Sequence, residues 1–236
     1  MAGPGAPTSD GPAIRALVFD VLGTVVDEDA SVRRAVSELL GDVDTPTVDA
    51  FAAQWSSRHA GLLEAVRAGE RSWSSGDDLR QEALRTTLGE HPHLTPLQDA
   101  VHEAATVGHR LEPWPDSVAA LARLARRFPV IALTNGGAEQ SSVMSERAGL
   151  SWTHLLTADE VERFKPDPAA YRLPLERHDL EPSTTLFVAA HPWDLDGAAG
   201  HGYRTALVRR PGVTAPRGAY DLQVGDLGEL ADRLGA

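Results

Sequence analysis

The run from Ile14 to Phe19 is apolar except for Arg15, and it leads directly into Asp20, with Gly23 and Thr24 just beyond. A short apolar run of this kind reads as a strand buried on both faces, the kind found in parallel sheets covered by helices on each side. A carboxylate at the end of such a strand needs a partner or a task. In open parallel sheets, ligands bind at the C-terminal strand ends. Asp20 is therefore the first candidate for chemistry.

The rest of the chain supports the same architecture. Strands are expected at Val130 to Leu133, His154 to Leu156, Leu186 to Ala189 and Arg204 to Val208. Helices are expected between them, at Ser117 to Arg126 with Val118, Leu121, Leu124 and Ala125 inward, then Ala138 to Arg147 and Pro168 to Arg177, with a last one at Leu227 to Leu234. Strands alternating with helices predict right-handed βαβ crossovers and a parallel sheet. From Ala30 to about Arg110 the pattern is helical throughout. Val32, Val36 and Leu39 share one face, Val48, Phe51, Ala52 and Trp55 a second, and Leu79, Ala83, Leu84 and Leu88 a third. The expected class is α/β, with a Rossmann-like parallel-sheet core over 13–26 and 111–236. An all-helical cap is inserted over 27–110, and residues 1–12, rich in Gly, Pro and Ala, read as a disordered tail and not a secretion signal.

Composition narrows the function. The chain has no cysteine, which removes disulfides, thiolate nucleophiles and Cys-based zinc sites. Its formal net charge of −12 repels phosphate backbones and anionic membranes, so neither nucleic acid nor a membrane is an expected partner. No apolar run approaches the length of a membrane span. A cytoplasmic location and a small-molecule substrate are expected. A small anion would have to be held by local cations.

Polar residues recur where strands end: Asp20, Thr24, Thr134, Asn135, Lys165 and Asp194. Taken singly, each is a cap or turn residue. Taken together they converge on one sheet edge. Lys165 beside Asp20 favours an ionised carboxylate, and Thr24, Thr134 and Asn135 supply donors that can orient it. A fixed, partly desolvated carboxylate is a competent covalent nucleophile.

Four runs carry a resemblance: Phe19-Asp20-Val21-Leu22-Gly23-Thr24, Leu133-Thr134-Asn135-Gly136, Phe164-Lys165-Pro166-Asp167-Pro168 and Val188-Ala189-Ala190-His191-Pro192-Trp193-Asp194. They are similar to the four motifs of the haloacid dehalogenase superfamily, and most of all to the type II L-2-haloacid dehalogenases. The resemblance implies a Rossmann-like core with a helical cap, and hydrolytic dehalogenation of short 2-haloalkanoic acids. Asp20 displaces halide to form an ester, and water attacking the Asp20 carbonyl releases a 2-hydroxy acid. Lys165 takes the place of the family's catalytic lysine, Tyr171 that of its active-site tyrosine, and Asp194 that of the acid that positions water or the lysine. Relatives are often homodimers, an assembly compatible with this chain but demanded by no feature of it.

Most members of the superfamily are magnesium-dependent phosphatases with a second Asp two residues after the nucleophile. Here that residue is Leu22, which transfers no proton, and Ala190 stands where an acid is usual. Neither a catalytic metal nor another cofactor is expected. A halide, unlike an alkoxide, leaves without a proton. The family also places an Arg after a cap-helix Trp. Trp55 is present but Ser56 follows it, and Arg58 is the nearest cation, carried here as a substrate-binding candidate with Leu22 and Trp193. His191 has two readings: a base that activates the hydrolytic water, or a structural loop histidine bonded to the backbone. His59, His91, His93, His102 and His109 show no ligand pattern. Other activated carbons (a strained ring, as in azetidine-2-carboxylate), phosphate esters, and a non-catalytic binding role remain as alternatives.

Overall fold

The computed structural model describes residues 12–94, 96, 98–214 and 220–236, so the expected tail lies, but for Pro12, outside the described residues. In chain order the elements are β1 (Ala16–Phe19), β2 (Val26–Asp27), α1 (Glu28–Leu40), α2 (Thr45–Arg67), α3 (Gly76–Glu90), α4 (Gln98–Ala105), β3 (Glu112–Pro113), α5 (Ser117–Leu124) and β4 (Val130–Thr134). There follow α6 (Ala138–Ala148), β5 (His154–Thr157), α7 (Pro168–His178), β6 (Thr185–Ala189), α8 (Pro192–Ala199), β7 (Arg204–Val208), β8 (Leu222–Val224) and α9 (Leu227–Arg233).

Six strands form one parallel sheet in the order β5-β4-β1-β6-β7-β8. The alternation of side chains shows why these runs become strands. Leu17, Phe19, Val130, Ala132, Leu186 and Val188 enter one core cluster, while Val18, Ile131, Leu133, Phe187 and Ala189 enter another. Both faces are dry along β1, β4 and β6, so these strands carry successive apolar residues through most of their length, which is the pattern seen in the sequence. From β1 the chain runs outward through β4 and β5, then returns to β6 on the other side. This reversal leaves a crevice at the C-terminal ends of β1 and its neighbours.

Helices α1 to α4 form the cap. Asp27 caps α1 by accepting from the Ala30 N–H at 3.0 Å, Asp44 caps α2 and Ser75 caps α3. Where the chain leaves and re-enters the core, β2 and β3 pair antiparallel. The Ser31 hydroxyl fastens this ribbon, donating to the Asp27 carbonyl at 2.7 Å and accepting from the Glu112 N–H at 3.0 Å.

Some expectations need correction. In α5 the buried residues are Ser117, Ala120, Leu121 and Leu124, whereas Val118 and Ala125 are exposed. The Ser117 hydroxyl donates to the Val25 carbonyl at 2.7 Å, which turns the helix toward the first loop. β8, three residues long and paired among the described residues with β7 alone, carried too short a signal to read. Trp193 and Asp194, beyond the strand ending at Ala189, lie in the first turn of α8, a helix not foreseen from the sequence, which opens at Pro192, a residue suited to the start of a helix. α4, of eight residues, was likewise not foreseen as a separate element.

Candidate active site

Asp20 directly follows β1 and continues its pairing, its N–H donating to the Val188 carbonyl at 3.0 Å. The sheet therefore fixes its backbone, and its side chain is almost fully buried. Oδ1 accepts from Lys165 Nζ at 2.7 Å and Oδ2 from the Thr24 hydroxyl at 2.6 Å. That hydroxyl in turn accepts from the Ala190 N–H at 2.8 Å, tying the loop after β1 to the end of β6. Arg210 secures the same loop by donating to the Thr24 carbonyl at 2.9 Å while gripping Asp116 with two hydrogen bonds.

Lys165 Nζ makes a second bond, to Asp194 Oδ2 at 2.6 Å, and Asp194 Oδ1 accepts from the Tyr171 hydroxyl at 2.7 Å. Thr24, Asp20, Lys165, Asp194 and Tyr171 thus form one buried chain of charge-assisted hydrogen bonds. Burial alone would favour the neutral amine of Lys165, but the two carboxylates outweigh it and hold the ammonium above its ordinary range. Burial pushes Asp194 up to about 6 against the pull of Lys165, with the charge of Asp20 adding to the rise. The Tyr171 hydroxyl is raised by burial and by the Asp194 charge, so it is a donor only.

The residues foreseen from the sequence divide into groups. Asp20, Lys165, Asp194 and Thr24 meet as expected. Asn135 is close by, but its amide grips the Lys165 backbone and not Asp20: Oδ1 accepts from the Lys165 N–H at 2.8 Å, and Nδ2 donates to the Lys165 carbonyl at 3.3 Å. The Thr134 hydroxyl accepts the Gly136 N–H at 3.0 Å and shapes the turn after β4 instead of orienting Asp20. Tyr171 does not reach the cleft. It is fully buried, it is not among the residues that line the cleft, and its hydroxyl is committed to Asp194. Arg58 is turned elsewhere, pairing with Glu90 at 2.6 Å and with the Thr87 hydroxyl at 3.3 Å. A position three residues after Trp55 on a helix faces away from the surface that Ser56 presents.

His191 Nε2 lies 3.1 Å from the Leu22 carbonyl and 3.8 Å from Asp20 Oδ2. A carbonyl only accepts, so Nε2 carries the hydrogen in this arrangement, and the nitrogen facing Asp20 is a donor. This geometry opposes the reading of His191 as a base acting at Asp20 through Nε2, and matches the backbone-bonded one. The ring stacks on Trp193 at 5.8 Å between centroids. It lies against Gly23, where an added Cβ would come within 2.7 Å of Nε2 and where φ is +75°. Only glycine suits both demands.

Above Asp20 is a cleft of about 210 Å³ between core and cap. The core contributes Asp20, Leu22, Asn135, His191 and Trp193 to its lining, and the cap contributes Glu28, Ser56, His59, Leu63 and Arg80 among others. His59, Glu28 and Arg80 were not picked out from the sequence. Arg80 had a legible signal, since it shares the apolar face of α3 with Ala83 and Leu84 at helical spacing. Its partner Glu28 lies far away in the chain, and sequence spacing gave no hint of the pair.

The donor set does not fit a hard divalent cation. Lys165 Nζ already stands between Asp20 Oδ1 and Asp194 Oδ2, the second Asp194 oxygen belongs to Tyr171, and the side chains of Leu22 and Ala190 offer no oxygen.

Comparison with known proteins agrees with this geometry. The family model of the haloacid dehalogenase-like hydrolases matches residues 14–202. An (S)-2-haloacid dehalogenase from Pseudomonas sp. (strain YL) is 35% identical over 204 residues, covering 84% of each chain. One from Xanthobacter autotrophicus is 30% identical over 199 residues, covering 84% of this chain and 76% of the relative. The crystal structure of a defluorinating L-2-haloacid dehalogenase superposes with a TM-score of 0.87 at 32% identity, covering 99% of this chain and 100% of that one. These matches fall on a parallel sheet with a buried carboxylate just past the end of β1 and a roof of helices above it. The chain belongs to the haloacid dehalogenase-like hydrolases.

Proposed function

We infer that this enzyme hydrolyses short 2-haloalkanoic acids to 2-hydroxy acids through an ester on Asp20, with 13–26 and 111–236 as its core and 27–110 as its cap. The observation that carries the reading is the setting of Asp20. It is held by Lys165 on one oxygen and Thr24 on the other, and it faces a cleft in which Leu22, an apolar side chain, is its neighbour. The named haloacid dehalogenases among its relatives point the same way.

Each step uses groups already in place. An ionised carboxylate oxygen keeps lone pairs beyond those given to Lys165 and Thr24. One of these attacks the carbon bearing the halogen, and the halide departs with the bonding electrons. No proton is needed at that carbon, so Leu22 is tolerable beside the nucleophile. Water then adds to Asp20 Cγ, and the charge that develops on the carboxyl oxygens falls between Lys165 Nζ and the Thr24 hydroxyl. As this intermediate collapses, the bond between Cγ and the substrate oxygen breaks. One of the water's protons passes to that oxygen to give the 2-hydroxy acid, and the other is lost to solvent as the Asp20 carboxylate is restored. Asp194 is fully buried and is not among the residues that line the cleft, and its bond to Lys165 Nζ supports a role in positioning that ammonium. Location in the cytoplasm and independence from nucleic acid go with this reading, supported by the cysteine-free sequence and the net charge of −12.

The test is halide release from 2-chloropropanoate in excess chelator. Undiminished release is expected. Absence of release, with magnesium-dependent cleavage of phosphate esters, would replace this reading with a phosphatase.

A further inference from the structure

Resting on the dehalogenase reading, we propose that Arg80 is the residue that binds the substrate's carboxylate, and that Glu28 is a resident counter-ion that competes with it. A haloacid entering the cleft carries a negative charge toward Asp20, which is itself an anion at the moment of attack. A cation must offset that repulsion. Lys165 cannot, because it is fully buried between Asp20 and Asp194 and does not line the cleft. Among the described residues that do line it, Arg80 is the one Lys or Arg. His59, also in the lining, is kept neutral by burial and by the Arg80 charge.

The state of Arg80 is that of an incompletely used donor. The residue is only 4% exposed, yet among the described residues its Nε has no hydrogen-bond partner. A buried donor left unsatisfied is costly, and a guanidinium is built to grip a carboxylate with two donors at once. One of its terminal nitrogens, Nη2, pairs with Glu28 Oε1. Glu28 is 26% exposed, so water can take it over when it is displaced. The backbone of Arg80 is pinned as well, since its carbonyl accepts from Trp55 Nε1 at 3.0 Å. The short side chain of Ser56 lines the same cleft and leaves room for the longer one.

The experiment uses the full chain and pairs a charged substrate with an uncharged one, 2-chloropropanoate with 2-chloropropanamide. R80M is expected to raise KM for the carboxylate about 10- to 100-fold while kcat/KM for the amide stays within about threefold. R80K, which keeps the charge but not the fork, is expected to fall between. An unchanged KM for the carboxylate, or equal losses on both substrates, overturns the assignment. Should R80M fail to fold, Glu28→Gln decides: removing the competitor lowers KM for the carboxylate several-fold, and a raised or unchanged KM overturns it. Calorimetric binding of propanoate separates this inference from the reading beneath it. Propanoate that binds wild type but not R80M keeps the anion site even if no substrate releases halide. Halide release with propanoate affinity indifferent to R80M removes the anion site and leaves the dehalogenase.

Discussion

The two walls of the cleft treat charge differently. On the core side, Asp20, Lys165, Asp194, Thr24 and Tyr171 are joined in one continuous chain of hydrogen bonds, on backbone fixed by adjacent parallel strands and the loops that follow them. On the cap side, Arg80 shares a terminal nitrogen with Glu28, keeps an idle Nε, and stands on a helix held by side-chain packing. A closed network is rigid and tolerates no missing member. An open pair can change partners. Chemistry belongs to the first wall and recognition to the second.

The largest expected effect lies in the core. Asp20→Asn is predicted to lower halide release by about 10⁴-fold or more, with an unchanged circular dichroism spectrum. Turnover that survives would remove Asp20 from the mechanism. Next is Lys165→Met, which leaves two buried carboxylates facing each other. Breaking a buried pair in this way costs about 3–5 kcal/mol, readable as a lower urea midpoint. R80M leaves behind Glu28, which water can reach, and removes a charge that also favours the ionised form of Asp77; no carboxylate is left facing another in a fully buried cluster, so its midpoint is predicted to fall by less. If the two losses are equal, the contrast between the walls fails.

A smaller effect is expected from Tyr171→Phe, which strips Asp194 of a donor at a cost of about 1–3 kcal/mol. The Tyr171 bond lowers the pKa of Asp194, so its loss moves the acid limb of the pH–rate profile to higher pH. In the wild type that limb is expected near pH 6, where Asp194 takes a proton and loosens its hold on Lys165; it belongs to the coupled cluster as a whole. Stability responds with opposite signs on the two walls. Asp194 is raised, so the folded state binds more protons across the window from its ordinary value to about 6, and this group's contribution to stability falls as pH rises through that window. His59 is lowered, so its contribution is present above the ordinary histidine value and is lost as pH falls below it, when only the unfolded chain takes the proton. His59→Gln is predicted to flatten the loss of stability between pH 6.5 and 5, measured by urea denaturation. Asp194→Asn is not expected to do so.

The same contrast explains what the sequence disclosed. Apolar runs that end in Asp20, in Thr134 and Asn135, and ahead of Asp194 announce a parallel sheet, and topology then brings their ends together whatever lies between. Lys165, which lies well beyond the end of β5 at Thr157, was legible through the run Phe164-Lys165-Pro166-Asp167-Pro168. Tyr171 was visible in position but not in role, because nothing in spacing says that it faces Asp194 from below. The grip of Asn135 on the Lys165 backbone was hidden in the same way. Arg58 was the natural candidate for the missing cap cation because it lay near Trp55 in sequence, yet helix geometry sends it to Glu90. The cation that does line the cleft, Arg80, arrives from a different helix and meets a partner at the start of α1. Pairings between packed helices leave little trace in a single sequence.

The most direct test of the ester on Asp20 is one turnover in ¹⁸O-water with enzyme in excess over 2-chloropropanoate, followed by mass analysis of the peptide containing Asp20. The label is predicted in the Asp20 carboxylate, with unlabelled 2-hydroxypropanoate released. Label in the hydroxy acid and none in Asp20 would mean that water attacks the substrate carbon directly, and the account given for this site would be wrong.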